Sequence, residues 1–386
     1  MSGLPAPDRS RNVFLVANNL DELGGVQRVT HTLATLLSEA GHQVTAVGMT
    51  HAAKPHDYGS RPYPSVLLHE TPIPPQPKAT GVRARLDPRR RAEQRRYDSE
   101  HRAAVDKLSA LFDTVDHGIV VVMQVWSMGW VSDATTEHLR VIGMSHESFD
   151  ATLGSTRWER VQRYYRDLDL LLLLTERDAE RVELEGFNNV AVMHNPLPFY
   201  PEKVSALDAP VVVSAGRYAS EKGYDRLIDA FARVAPDYPE WQLRIFGHGP
   251  LQERLTKQAA SLGLADRVSV PGLAAYIEAE LAASSVFALS SIHEGLPMVL
   301  AEAMAYGVPA VAFDCAPGVR EIVTDGVDGL VVPPRNVAAL ADGLARLMGD
   351  ADLRKRYGAA ARDNVRKFAP DAVLAQWEEV FRLVER

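Results

Sequence analysis

Short runs of β-branched and leucine residues alternate with amphipathic stretches from one end of the chain to the other. This pattern predicts βαβ units and parallel sheets covered on both faces. In the first half the apolar runs fall at 13–17, 43–48, 119–123, 141–144, 170–175 and 190–193; in the second they fall at 211–215, 242–246, 268–270, 286–290 and 310–313. Between the groups lies NPLPFYPEKVSALDAP, residues 195–210, whose four prolines and lack of periodicity mark an interdomain linker. The chain then restarts with PVVVSAGR, a strand meeting a glycine turn. The expectation is two doubly wound α/β domains, 1–197 and 211–369, joined by 198–210, with the cleft between them as the natural ligand site. At the end, 370–386 carries Val373, Leu374, Trp377, Val380, Phe381 and Leu383 at helical spacing, which predicts a packing helix.

A length of 386 residues is more than one core usually serves, which agrees with two domains. With 46 % hydrophobic and 24 % charged residues and no biased repeat, the chain is neither disordered nor fibrous. The longest apolar run, 170–174, is far too short to cross a bilayer, and the opening MSGLPAPDRSRN has no apolar signal core. A cytoplasmic location is therefore expected. The single cysteine, Cys315, excludes an intrachain disulfide and a cysteine-cluster metal site. The twelve histidines show no pair at metal-ligand spacing joined to a third ligand, so no metal is expected. A net charge of −8 argues against a nucleic-acid binder as a whole. Charge is nevertheless uneven: residues 78–102 hold nine Lys or Arg against four Asp or Glu. The plain reading of that stretch is a solvated, partly helical insertion. The functional one is a docking surface for an anionic membrane or a lipid-diphosphate acceptor, at the inner face of the cell membrane.

The densest chemistry lies in SSIHEGLPMVLAEAMAYGVPAV, which starts at Ser290 and holds Glu294 and Glu302. Pro297 suits the first turn of a helix, and the residues from Met298 onward are good helix formers. Glu294 then falls in the strand-to-helix loop and Glu302 at least a turn into the helix. At about 1.5 Å rise per residue, the two carboxylates are spread along the axis rather than facing each other. Free backbone N–H groups around Leu296, Met298 and Val299, with the positive end of the helix dipole, make an anion site suited to phosphate. An ionised carboxylate only accepts hydrogen bonds and can take both hydroxyls of a vicinal diol. An anion cradle with such an acceptor on either side suits a ligand shaped diol, diphosphate, diol, and a nucleotide sugar has that shape. The plain alternative is that Glu294 caps the helix and Glu302 is a solvated surface residue.

A second constellation is SAGRYASEKGYDRLIDAF, where Gly216 and Gly223 frame Arg217 and Lys222 in a strand-to-helix loop. Two cations five residues apart on a loop can converge on one diphosphate, the arginine through a fork and the lysine as a point charge. A third is NNLDELGGVQRVTHTLATLL, where Gly24 and Gly25 precede a helix with Val29, Leu33, Leu36 and Leu37 on one face. Paired glycines let backbone approach a ligand without a Cβ clash, although a plain turn has the same signature. His146, in VIGMSHESF, stands just past a strand end, where open α/β sheets bind ligands; a structural histidine is the simpler reading.

The segment around Glu294, with His293, the Gly295-Leu296-Pro297 turn, Glu302-Ala303-Met304 and Gly307-Val308-Pro309, resembles the Glu-x7-Glu motif of retaining GT-B glycosyltransferases, in particular glycosyltransferase family 4. FDCAPGVREIVTDGVDGLVVPP is similar to that family's next segment in members building bacterial surface polysaccharides. The Gly216-Arg217 and Glu221-Lys222-Gly223 pattern matches as well, and there the resemblance implies that the two basic residues bind and stabilise the departing nucleoside diphosphate. It implies further that Gly24 and Gly25 line the donor phosphates from the other domain and that His146 contacts the donor sugar near the reacting centre. Gly247, in the tight turn Gly247-His248-Gly249-Pro250, and Gly272-Leu273 occupy loops where relatives hold base or sugar; His248 departs from the acidic or small residue usual there.

The resemblance implies a GT-B fold, two Rossmann-like domains with the acceptor bound by the first and the donor by the second, and a last helix, 370–386, crossing back to the first. The implied reaction moves a hexosyl unit from a nucleotide sugar, a UDP-sugar by preference, to a glycan or lipid-linked acceptor with retention. No cofactor is needed beyond that co-substrate, and no metal if Arg217, Lys222 and the helix start at Pro297 offset the charge on the leaving phosphate. Glu294 on sugar hydroxyls, the N–H groups from Leu296 to Val299 on the diphosphate and Glu302 on the ribose would form one clamp. Rival readings are a glycoside hydrolase using Glu294 and Glu302, a nucleotide-sugar epimerase of related architecture, and a non-catalytic nucleotide-binding or membrane-scaffold protein. Asp167-Leu168-Asp169 superficially matches a metal-binding Asp-x-Asp, but it runs straight into LLLLL and reads as a helix-to-strand junction.

Overall fold

The computed structural model describes residues 7–70 and 88–386. Among these, the strands form two wholly parallel sheets. The first contains β1 (Asn12–Ala17), β2 (Gln43–Gly48), β3 (Ser65–Leu67), β4 (Gly118–Val122), β5 (Leu139–Met144), β6 (Leu170–Leu173) and β7 (Val190–Val192), in the order β3-β2-β1-β4-β5-β6-β7. The second contains β8 (Val211–Ala215), β9 (Gln242–Phe246), β10 (Val268–Gly272), β11 (Val286–Leu289), β12 (Ala310–Phe313) and β13 (Gly329–Val332), in the order β10-β9-β8-β11-β12-β13. Both sheets reverse direction beside their first strand, which is the doubly wound arrangement. In it, ligands bind at the carboxyl ends of the strands flanking the reversal. Central strands such as FLVA in β1, LLLL in β6 and AVAF in β12 are buried on both faces, because helices cover each side.

Two edge strands, β3 and β13, are not among the apolar runs read from the sequence. Each is only three or four residues long and lies next to prolines, Pro62 and Pro64 before one, Pro333 and Pro334 after the other. The run 170–175 is also shorter as a strand: β6 ends at Leu173 because Thr175 caps the next helix, Glu176–Leu184, with its side chain accepting from Asp178 N–H. Asp169 likewise serves the junction, accepting from Val141 N–H at 2.7 Å.

Part of the basic stretch, residues 78–87, lies outside the described residues. The remainder opens helix Pro88–Phe112, which is one element of 25 residues. Its basic first half is exposed, whereas Ala104, Leu108 and Phe112 anchor its second half against Phe14 and the first sheet. Among the described residues, no helix is long and apolar enough to cross a membrane.

The last helix, Pro370–Val384, leaves the second half and packs on the first. Trp377 and Phe381 are fully buried in the same apolar cluster as Leu33 and Leu37 of helix Gly25–Ala40, and each large side chain contributes about 2–3 kcal/mol of burial. Charges close the seam: Glu378 takes Arg11 Nη1 at 2.9 Å and His42 Nε2 at 2.7 Å. Leu383, read as part of the packing face, is instead 49 % exposed, and Val384 is buried in its place. At 3.6 residues per turn, the face defined by Trp377 and Phe381 continues to 384 rather than 383. The linker is tied down as well. Leu197 N–H donates to Phe368 O and Ser205 N–H to Tyr306 O, both at 2.8 Å.

Candidate active site in the interdomain cleft

The loops after β8 and β11, the two strands at the reversal in the second sheet, come together first. Past β8, the buried Tyr218 fixes the chain by donating its hydroxyl to Ile245 O at 2.8 Å. A 3-10 turn, Ser220–Lys222, follows and ends on Gly223, whose φ of 60° is left-handed. A Cβ on Gly223 would overlap Ser290 O, so only glycine lets this turn lie against the end of β11. The consequence is a specific contact: Lys222 Nζ donates to Glu294 Oε1 at 2.6 Å. Ser291 Oγ donates to the same oxygen at 2.6 Å, and Ser290 Oγ donates to Lys222 O at 2.9 Å. Arg217, framed by Gly216, is 62 % exposed at its side chain and holds Glu221 Oε1 at 2.6 Å.

Beyond Glu294 the chain crosses a crowded point. Gly295 lies so close to the first half that a Cβ on it would overlap His146 O. Leu296 is buried, Pro297 occupies the cap position, and helix Met298–Ala305 begins one residue later than the sequence suggested. The difference is one of cap geometry: Pro297, at ψ 85°, is not yet helical. The first-turn N–H groups, Met298 and Val299 among them, have no carbonyl one turn earlier in the helix and carry the positive end of its dipole. Glu302 is one turn further in and only 7 % exposed, so it is not a solvated surface residue. Its Oε1 lies 3.1 Å from Nη1 of Arg28, which comes from helix Gly25–Ala40 in the first half. Burial pushes the Glu302 carboxyl up from the ordinary range; Arg28 pulls it down again, and the Glu278 carboxylate opposes Arg28.

From the first half, His146 follows β5. Both of its ring nitrogens are sealed from solvent, and among the described residues neither has a hydrogen-bond partner. Burial alone lowers the imidazole to about 4, so it is neutral near pH 7. Gly24 and Gly25 open helix Gly25–Ala40. Gly24 is extended, at φ −152°, and nothing lies within 4 Å of a Cβ on Gly25. Backbone strain therefore does not call for this pair. Gly247 and Gly272 end β9 and β10 side by side, Gly247 N–H donating to Gly272 O at 2.9 Å and Gly272 N–H to the Tyr218 hydroxyl at 3.2 Å. Leu273 beside them is 59 % exposed.

The structure therefore brings Lys222, Glu294, Gly295 and His146 together, and sets Glu302 one helical turn away with Arg28. Arg217 stands apart on Glu221. Ser291 and Arg28 are partners that sequence reasoning missed. Ser291 lies inside the motif, three residues before Glu294. Arg28 stands 274 positions from Glu302, and no local pattern links them. The two glutamates hold different partners and do not face each other as an acid and base on one oxygen would.

The chain is similar to known proteins in sequence and in fold. The family model for glycosyl transferases group 1 matches residues 199–364. An exopolysaccharide phosphotransferase of Streptomyces coelicolor is 32 % identical over 390 residues, covering 95 % of this chain; the chain spans 40 % of that relative's length. The amylovoran biosynthesis glycosyltransferase AmsD of Erwinia amylovora is 30 % identical over 249 residues, 62 % of this chain and 70 % of AmsD. Among solved structures, Anabaena HepE in complex with UDP-glucose superposes with a TM-score of 0.74 at 18 % identity, covering 96 % of this chain and 99 % of HepE. These matches support neither a hydrolase nor an epimerase. The likeness to AmsD reaches well past the second sheet's half and the fold is the two-sheet GT-B arrangement, so this chain belongs to the glycosyl transferases of group 1 and is a transferase enzyme.

Proposed function

We propose that the protein is a retaining, metal-independent glycosyltransferase of family 4 type that moves a hexosyl unit from a UDP-sugar to a glycan or lipid-linked acceptor in polysaccharide assembly. The observation that carries this reading is the Lys222–Glu294 contact at the start of helix Met298–Ala305, with His146 and Gly295 closing it from either half. A cation beside a carboxylate at a helix N-terminus matches the point where a diphosphate joins a sugar. Lys222 and the first-turn N–H groups take the diphosphate; Arg217, exposed on its loop, swings from Glu221 to join them. Glu294 accepts from the sugar hydroxyls and Glu302 from the ribose. Neutral His146, whose ring nitrogens have no partner among the described residues, turns to the sugar as the donor enters, Gly24 and Gly25 approach the phosphates, and the loops at Gly247, Gly272 and Leu273 hold the base. HepE, a structural neighbour covered over 99 % of its length, was solved with UDP-glucose, which favours uracil as that base.

Glu294 is held by Lys222 and Ser291, which suits a binding role better than a covalent nucleophile. We therefore infer a same-face route. The bond from the anomeric carbon to the diphosphate oxygen breaks, the acceptor oxygen bonds to that carbon on the same face, and its proton passes to the leaving diphosphate. The exposed basic half of helix Pro88–Phe112 lies on the acceptor-side half, and we assign it to an anionic lipid or membrane surface on the cytoplasmic side.

The test is incubation of the full chain with UDP- and GDP-sugars and acceptors, either free glycan or lipid-linked in anionic vesicles, followed by mass spectrometry. Sugar transfer with nucleoside diphosphate release, undiminished by EDTA, is expected. No release from any donor would overturn the reading, and product of inverted configuration would overturn retention. Sedimentation of the same vesicles checks the membrane contact, which binding unchanged by Arg95→Gln with Arg96→Gln would remove.

A further inference from the structure

We propose that Arg28 is a positioning residue for donor binding, acting on Glu302 from the opposite half of the molecule. The inference rests on Glu302 being the ribose acceptor, as read above. Arg28 ends the first turn of helix Gly25–Ala40, directly behind the Gly24-Gly25 loop, and its Nη1 reaches Glu302 Oε1 at 3.1 Å. The donor-side carboxylate is thus held by a group whose position depends on the first half.

The surroundings explain why such a partner matters. The hollow beside Glu302 is walled by Pro198, Phe199, Leu281 and Ala305, which offer the carboxylate nothing. Among the described residues, the titratable groups that face it are Arg28 from the first half, Glu278 from helix Ile277–Ala282 and Tyr306 at the end of its own helix. Of these, only Arg28 favours the ionised form. Without Arg28, burial and Glu278 would both favour protonation. A protonated carboxyl spends one oxygen as a donor, whereas a vicinal diol needs an acceptor for each hydroxyl. Donor recognition by the second half therefore depends on the first half standing close enough to deliver its guanidinium. The same free energy couples the arrangement of the halves to nucleotide affinity.

The test is titration calorimetry of UDP and of GDP into the full chain from pH 5.5 to 9, for wild type, Arg28→Met, Arg28→Gln, Arg28→Lys and Glu302→Gln. With the carboxyl pushed further up by the loss of Arg28, the Met and Gln variants should bind about tenfold more weakly on the acid limb and recover as pH rises. Arg28→Lys should restore most of the affinity, and Glu302→Gln should lose the acid limb altogether. In turnover, the effect of Arg28→Gln should fall on KM for the donor rather than on kcat. Two neutral variants are included so that poor folding of one leaves the other to decide. Arg28 variants with the wild-type profile, or with the same fractional loss at every pH, would overturn the inference, as would an acid limb that survives Glu302→Gln. Wild type binding neither nucleotide would instead overturn the donor reading of the site.

Discussion

Glu294 and Glu302 share a sequence motif but occupy different electrostatic settings, and the chemistry separates along that line. Glu294 accepts from Lys222 and Ser291, and in the proposed reading it stands where sugar and diphosphate meet, so its loss would affect the group whose bonds change. Glu302 sits further along the helix with Arg28, and in the proposed reading it serves ribose binding alone. Glu302→Ala should therefore raise donor KM with kcat held within a few fold. Glu294→Ala should raise KM and also cut kcat by about 10²-fold, the loss typical of an interaction made at the reacting centre. Steady-state kinetics on both variants checks this; equal effects confined to KM would refute the division of labour. Both glutamates were legible in the sequence because spacing along a proline-capped helix is local information. Their partners were not. Arg28 meets Glu302 only through the docking of two halves.

At the level of elements, the site is assembled by turns whose glycines serve different purposes. Gly223 has a left-handed φ and its missing Cβ leaves room for Ser290 O, so its loop can sit nowhere else. Gly25 has open space around it and ordinary backbone. Gly223→Ala should therefore cost about 1–3 kcal/mol from the strained dihedral alone, with more from the overlap, and should lower Tm. Gly25→Ala should leave unfolding stability within about 1 kcal/mol of wild type, the usual cost or gain at a helix start, while raising donor KM if the loop approaches phosphate. Thermal unfolding followed by donor kinetics distinguishes the two, and a Gly25→Ala protein with unchanged donor KM would remove that loop from the site. The central strands were readable because burial on both faces writes a continuous apolar run. The edge strands β3 and β13 were not, since a strand of three or four residues beside prolines carries the same letters as a loop. Leu383 was misplaced for a related reason: an apolar residue one position off the helical stripe looks the same in sequence as one on it.

At the scale of the whole molecule, the two halves meet at the crossing of the chain as well as across the cleft. His194, just past β7, brings Nε2 to 3.1 Å from Glu321 Oε1 on helix Pro317–Ile322, and Lys367, ahead of the last helix, reaches the same oxygen at 3.2 Å. One carboxylate thus ties the first half, the second half and the returning segment. Its hydrogen bond to His194, helped by Lys367 and against the opposing effect of burial, holds the Glu321 carboxyl below the ordinary glutamate range. The sign follows from linkage: a carboxyl whose folded pKa is depressed adds stability above its unfolded value, and that stability is lost as pH falls through the folded value. Glu321→Gln should consequently lower Tm at pH 7, and the gap from wild type should close as pH drops below about 4.3, the unfolded glutamate value, because both proteins are then uncharged at that position. Calorimetry of the two proteins between pH 3 and 8 reads this directly. A gap that stays constant across the range would mean that Glu321 acts by packing rather than charge. In that case the pin at the crossing would rest on Trp377, Phe381 and the Arg11–Glu378 pair, which fasten the last helix to the first sheet independently of Glu321.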